Sequence, residues 1–116
     1  MKRAHSLPSD EALSHIARHF AALADPLRLK IVHALMNGEK NVSDLVQVTG
    51  GLQSNVSRHL NKLIHAGVLS RRKQGAQVFY ACADPMIYEL CTQVCGSLEK
   101  RLVKQAKAIE VVSARR

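Results

Sequence analysis

Three groups of side chains in this sequence of 116 residues have the types and spacing to do chemistry. The first is a polar run in a stretch of helical period. Gln53, Ser54, Asn55, Ser57, Arg58, His59, Asn61 and Lys62 are interleaved with Val56, Leu60, Leu63 and Ile64, which recur at i, i+4, i+7 and i+8. A helix of that kind fits the major groove of duplex DNA, where Asn and Gln pair bidentately with adenine and Arg with guanine. Gln53, Ser54, Asn55, Ser57 and Arg58, on the first turns, are expected at base edges. His59 and Lys62, further along, are expected at phosphates. The second group is Arg71, Arg72, Lys73 and Gln77, on either side of Gly75. A hairpin there would lie along the sugar–phosphate backbone or in the adjacent minor groove. The third is Cys91 and Cys95, four apart and hence on one face of a helix, within reach of a single soft ion or of oxidation.

The charge balance supports the first two groups. Lys and Arg number 17 against 9 Asp and Glu, a formal net charge of +8. An excess this large in a short chain points to a polyanionic partner, nucleic acid before membrane. The positive charge is also segregated. No acid occurs from Leu45 through Ala83, a stretch that carries Arg58, Lys62, Arg71, Arg72 and Lys73. An ordinary solvated surface mixes both signs. Aromatic residues are 3% of the chain, which weighs against single-strand binding on stacked aromatic platforms. No apolar run is long enough to cross a bilayer. Nothing resembles a signal peptide, so a cytoplasmic protein with no membrane partner is expected. There is no Gly-rich phosphate loop, no Gly-x-Ser-x-Gly elbow and no motif of paired carboxylates, so an enzyme is not expected.

The elements that must position these groups follow from caps and periodicity. Ser9 caps a helix over residues 10–24 with Leu13, Ile16, Ala17 and Phe20 on its apolar stripe. Asp25-Pro26 starts a second helix. Ser43 is expected to cap a short third one, broken by Gly50-Gly51. The fourth covers residues 53–66, followed by strands over 68–73 and 77–82 with a Gln74-Gly75-Ala76 turn. Asp84-Pro85 opens a last helix reaching about Val112, with Ile87, Leu90, Cys91, Val94, Cys95, Leu98 and Leu102 on one stripe. That stripe is longer than a body of this size can cover and calls for a partner helix, most simply the same helix of a second chain. A glycine at Gly96, inside the helix, would suit close approach of such a partner. The expected organisation is a tail over 1–8, one domain over 9–112 and a tail over 113–116. The fold class is mainly α with a small β-hairpin: a winged helix-turn-helix of five helices and a two-stranded wing.

Two runs resemble the ArsR/SmtB family of bacterial winged-helix repressors. One is Phe20 to Ile31, Phe-Ala-Ala-Leu-Ala-Asp-Pro-Leu-Arg-Leu-Lys-Ile, similar to that family's second helix. The other is Asn55 to Leu63, followed by Ala66-Gly67-Val68-Leu69, similar to its recognition helix and the start of its wing. The resemblance implies a homodimer built on the first and last helices, bound to a palindromic operator and released by an effector. Leu52 departs from the pattern, standing where family members often place a Ser cap, so the cap is expected to move to Ser54 or the helix start to fray. Two of the family's metal-ligand sets are also missing. Residues 41–45 hold no cysteine, and Met86, Ser97 and Lys100 stand where the ligands of the last helix would be.

The function expected is a DNA-binding transcriptional repressor, released by a soft metal, a metalloid such as As(III), zinc, or thiol oxidation at Cys91 and Cys95. Cys82, His15 and His19 are possible extra ligands, the histidines by reaching a partner chain's thiols. Two alternatives remain open. One is a constitutive DNA-binding regulator whose cysteines only pack, since Cys is a small hydrophobe. The other is a thiol-based metal-binding or redox protein whose basic face is incidental.

Overall fold

The computed structural model describes residues 7–114, with side chains for residues 7–109. The order is α1 (Asp10–Leu23), α2 (Pro26–Ala34), a 3₁₀ turn (Leu35–Asn37), α3 (Val42–Thr49), α4 (Gln53–His65), β1 (Leu69–Gln74), β2 (Gln77–Cys82) and α5 (Pro85–Ala114). These are the five helices and the hairpin wing of a winged helix-turn-helix. Residues up to Asp84 form one compact unit and those from Pro85 a second. Of the expected terminal tails, residues 1–6 and 115–116 lie outside the described residues, and α5 runs on through Ala114, two residues into the expected C-terminal tail.

Caps start the first three helices. Ser9 accepts from the Ala12 amide at 3.1 Å. Asp25 Oδ1 accepts from the Leu27 and Arg28 amides at 2.9 and 3.1 Å, ahead of Pro26 in the first helical turn. The cap of α3 is Asn41 rather than Ser43: its Oδ1 accepts from the Asp44 amide at 2.9 Å. Both residues suit a cap, and the position is decided by where the chain leaves its extended conformation, which it does after Asn41 at φ −89°, ψ 177°. Leu52 precedes α4 in an extended conformation and offers no side-chain cap, and Ser54 does not take over the role.

The core of the first unit is the meeting of α2, α3 and α4. Ile31, Val32, Leu35, Leu45, Val56, Leu60, Leu63 and Val68 are all completely buried. Gly50 makes the sharp turn between α3 and α4. It sits at φ 74°, ψ 8°, a left-handed conformation that costs glycine little, and its amide donates to Val46 O. In the hairpin Leu69 pairs with Cys82, Arg71 with Tyr80, Arg72 with Phe79 and Gln74 with Gln77. The loop is thus two residues, Gly75 and Ala76, shorter than the expected three. Gly75 at φ 63° takes the first position of a II′-like turn that matches strand twist. The hairpin is tied back to the loop before α3 by two bonds, Tyr80 N to Lys40 O at 2.8 Å and Lys40 N to Tyr80 O at 3.1 Å.

Two helices carry apolar surface that the chain leaves exposed. On α1 these side chains are Leu13, Ile16 and Phe20. On α5, whose 30 residues span about 45 Å, they are Leu90, Val94, Leu98 and Leu102. Among the described residues no helix is long and apolar enough to cross a membrane.

The cap assignment has a direct check in thermal unfolding. Asn41→Ala is expected to destabilise by about 1 kcal/mol. Ser43→Ala, exposed and outside the cap, should stay within about 0.5 kcal/mol of the parent.

Candidate nucleic-acid interface

The side of α4 opposite its buried stripe faces water. Gln53, Ser54, Arg58 and Lys62 are exposed, and Asn55 and Ser57 are half-buried. Arg58 Nη2 donates to Asn55 Oδ1 at 3.2 Å, so two of the residues expected to read bases are already held side by side on one ridge. Packing explains this. With Val56, Leu60 and Leu63 inside, the positions at 100° per residue that remain outside are these.

His59 is the correction on this helix. It was expected on phosphate, but it is only 8% exposed. It lies three residues after Val56 and one before Leu60, at the flank of the buried stripe, and the wider period draws it inward. There Arg28 Nη1 donates to its Nδ1 at 3.1 Å, and its Nε2 lies 4.0 Å from Asp25 Oδ1. Burial pushes the imidazole pKa below its ordinary 6.5, against the pull of the Asp25 carboxylate, with Arg28, Arg58 and Lys62 adding to the depression. Arg28 also donates from Nε to Ala22 O at 2.6 Å. Sequence reasoning treated Asp25 as a cap and Arg28 as part of a motif. The i+3 relation of His59 to Val56 was the available signal for its burial.

The wing presents Arg71, Arg72, Lys73 and Gln77, all exposed. They are not equivalent. Successive strand residues point to opposite faces, so Arg72 shares a face with Phe79 and Gln74, away from Arg71 and Lys73. The Arg72 guanidinium lies 5.1 Å from the Phe79 ring centroid, reaches both Glu39 oxygens from Nε at 2.9 Å, and donates from Nη1 to Gln74 Oε1 at 2.7 Å. The pairing holds the Glu39 carboxyl below the usual carboxylate range. Gln77 Oε1 accepts from Asn41 Nδ2 at 3.3 Å. Glu39 and Asn41, two partners missed at the level of sequence, therefore brace the root of the wing.

On α5, Cys91 is buried and Cys95 half-buried. All three cysteines are free of disulfide bonds. Burial pushes the Cys91 thiol pKa up, and the neighbouring Cys95 adds to it. Among the described residues no three His, Cys, Asp or Glu side chains come together as a metal site. His19 Nδ1 donates to His15 O at 3.0 Å, which leaves its Nε2 as the nitrogen with a lone pair. Among the described residues, a Cβ placed on Gly96 would meet nothing within 4 Å.

Residues 25–71 match the profile of the arsR family of bacterial regulatory proteins. The chain is 39% identical to a probable mercury resistance operon repressor of Streptomyces lividans, over 73% of this chain and 82% of that protein. Its fold is similar to the homodimeric winged helix-turn-helix DNA-binding domain of Mb0332 from Mycobacterium bovis, with a TM-score of 0.73 and 28% identity over 82% of this chain and 91% of that one. It is also similar to Rv0081 of Mycobacterium tuberculosis, with a TM-score of 0.72 and 30% identity over 84% and 99% of the two chains.

The raised Cys91 pKa implies a particular order of thiol reactivity. Because the thiolate is the nucleophile, iodoacetamide at pH 7.5 is expected to alkylate Cys95 before Cys91, as read by peptide mass spectrometry. Equal or faster labelling of Cys91 would contradict its burial.

Proposed function

The chain belongs to the arsR family of bacterial regulatory proteins, DNA-binding transcriptional regulators rather than enzymes, and from that premise we propose a homodimeric repressor of a palindromic operator. One observation carries the reading: the only side of α4 that is not packed into the core displays Asn55, Arg58 and Lys62, in a stretch without a single acid. Gln53, Ser54, Asn55, Ser57 and Arg58 take base edges, and Lys62 takes phosphate. Arg71, Arg72, Lys73 and Gln77 place the wing on the flanking backbone. The exposed apolar faces of α1 and α5 supply the dimer contact. They bring two recognition helices to half-sites about one helical turn, 34 Å, apart.

The effector in this proposal is a soft metal or metalloid ion at Cys91 and Cys95. The two thiols stand four apart on one helix, the donor type that selects soft ions. The relative from S. lividans is described as a mercury resistance operon repressor. A two-thiol pair suits an ion content with two sulfur ligands. An ion demanding more, such as As(III) or zinc, would take further donors from Cys82 or from a second chain's His15 or His19. Binding replaces the thiol protons, which are released. Because the Cys91 pKa is raised, this exchange must displace a tightly held proton, and ion binding should strengthen as pH rises. Ion binding on the dimer helices would then shift the spacing of the two recognition helices.

The test is fluorescence anisotropy with a duplex enriched from a random library. Arg58→Ala should cost about 1–3 kcal/mol and relax preference at one base pair. Lys62→Ala should weaken all duplexes alike and reduce the salt slope by about one. Cys91→Ser with Cys95→Ser should keep DNA binding and lose release by Hg(II) or As(III). Release at parental ion concentrations would make the thiols packing groups of a regulator without this effector.

A further inference from the structure

We propose that His59 is a positioning residue for DNA reading, tying α4 to the α1–α2 junction through Arg28 only while its imidazole is neutral. The inference rests on the regulator reading above and adds an acid-sensitive element to it.

A single guanidinium makes the tie. Arg28 Nε donates to Ala22 O, near the end of α1, at 2.6 Å, and Nη1 donates to His59 Nδ1, in the middle of α4, at 3.1 Å. Arg28 itself sits in the first turn of α2, its amide held by the Asp25 cap. One planar fork thus spans three helices, which a lysine ammonium could not do with the same geometry. Since Arg28 is permanently charged and can only donate, Nδ1 must be the acceptor. The imidazole proton therefore sits on Nε2, directed toward Asp25 Oδ1 at 4.0 Å, too far for a hydrogen bond.

Protonation changes the sign of this contact. The incoming proton lands on Nδ1, where it meets another donor and a second positive charge. The surrounding charges are Asp25, the cap of α2, Arg28 of α2, and Arg58 and Lys62 from α4 itself. Arg18 of α1 and His65 line a shallow cleft together with Arg28, Lys62, Ala21, Ala22 and Ala66. Arg28, Arg58 and Lys62 are cationic neighbours of the imidazole and Asp25 is an anionic one. Burial sets the folded imidazole below its ordinary pKa against the pull of Asp25, with Arg28, Arg58 and Lys62 adding to the depression. The neutral form is therefore the one the fold stabilises. The contribution is fully present above about pH 6.5 and is lost as pH falls through the lower folded value. His59 adjoins Arg58 in the chain, so loosening its hold shifts the ridge that reads bases.

The direction is unusual. Protonation of exposed histidines adds positive charge, so for them acid should tighten DNA binding. For His59 it should loosen it. The experiment measures affinity for the enriched duplex from pH 7.5 to 5.5 at constant salt, for the parent and for His59→Asn. The asparagine Oδ1 can accept from Arg28 near the position of Nδ1 and does not titrate. At pH 7.5 the two are expected within about threefold. On acidification the parent should weaken progressively relative to His59→Asn, the loss growing toward pH 5.5 as the imidazole, which titrates below its ordinary 6.5, begins to take up its proton. Profiles that run parallel would overturn the proposal. Loss of DNA binding by His59→Asn at pH 7.5, with the parent's thermal stability retained, would overturn it as well.

A second arm needs no variant. NMR titration of the free parent protein should show the amides of residues 53–62 moving with the same midpoint as the His59 ring, and their failure to move would overturn the tie. If the parent selects no duplex at any pH while this coupling is present, the regulator reading fails and the tie stands.

Discussion

The rotation of α4 about its own axis governs the rest of the molecule. Val56, Leu60 and Leu63 are buried completely against α2 and α3. Replacing a buried leucine by alanine costs about 2–5 kcal/mol, so turning the helix by even one position would cost more than any polar contact on its outer side returns. That rotation puts Asn55, Arg58 and Lys62 outside and draws His59 to the flank. The same packing that stabilises the unit thus selects which side chains are offered to a partner.

The wing follows a related logic with strand periodicity. Arg72 is braced by Glu39, Gln74 and the ring of Phe79, and Tyr80 is bonded to the backbone at Lys40. An exposed ion pair of this sort contributes little to stability, so its consequence is chiefly geometric: it holds the hairpin root against the start of α3. Arg71 and Lys73 project from the other face of β1. The proposed contact surface thereby has a braced cation and two others on a different face, where composition alone showed three equivalent charges.

Much of this was legible before any coordinates. The Ser9 and Asp25 caps, the proline starts, the apolar period of α4 and the glycine turn of the hairpin are local signals, and local chemistry decides them. The errors came where long-range contacts decide. Asn41 rather than Ser43 caps α3, because the chain direction there is set by the hairpin that bonds Lys40 and reaches Asn41 through Gln77. His59 reads as polar in the sequence, and only the approach of Arg28 and Asp25 from another helix shows how a buried imidazole is accommodated. The bracing of Arg72 by Glu39 spans 33 positions and left no trace in spacing. The apolar stripes of α1 and α5 were legible as stripes, and their exposure in a single chain is what the dimer proposal builds on.

The central claim is that the outward side of α4 enters a DNA groove with the wing beside it. Amide chemical-shift mapping of the labelled protein, with the enriched duplex added stepwise, tests that most directly. The account expects the largest changes at residues 53–62 and 71–77, with the centre of α3 nearly silent. Changes confined to α1 and α5, with α4 unmoved, would contradict it.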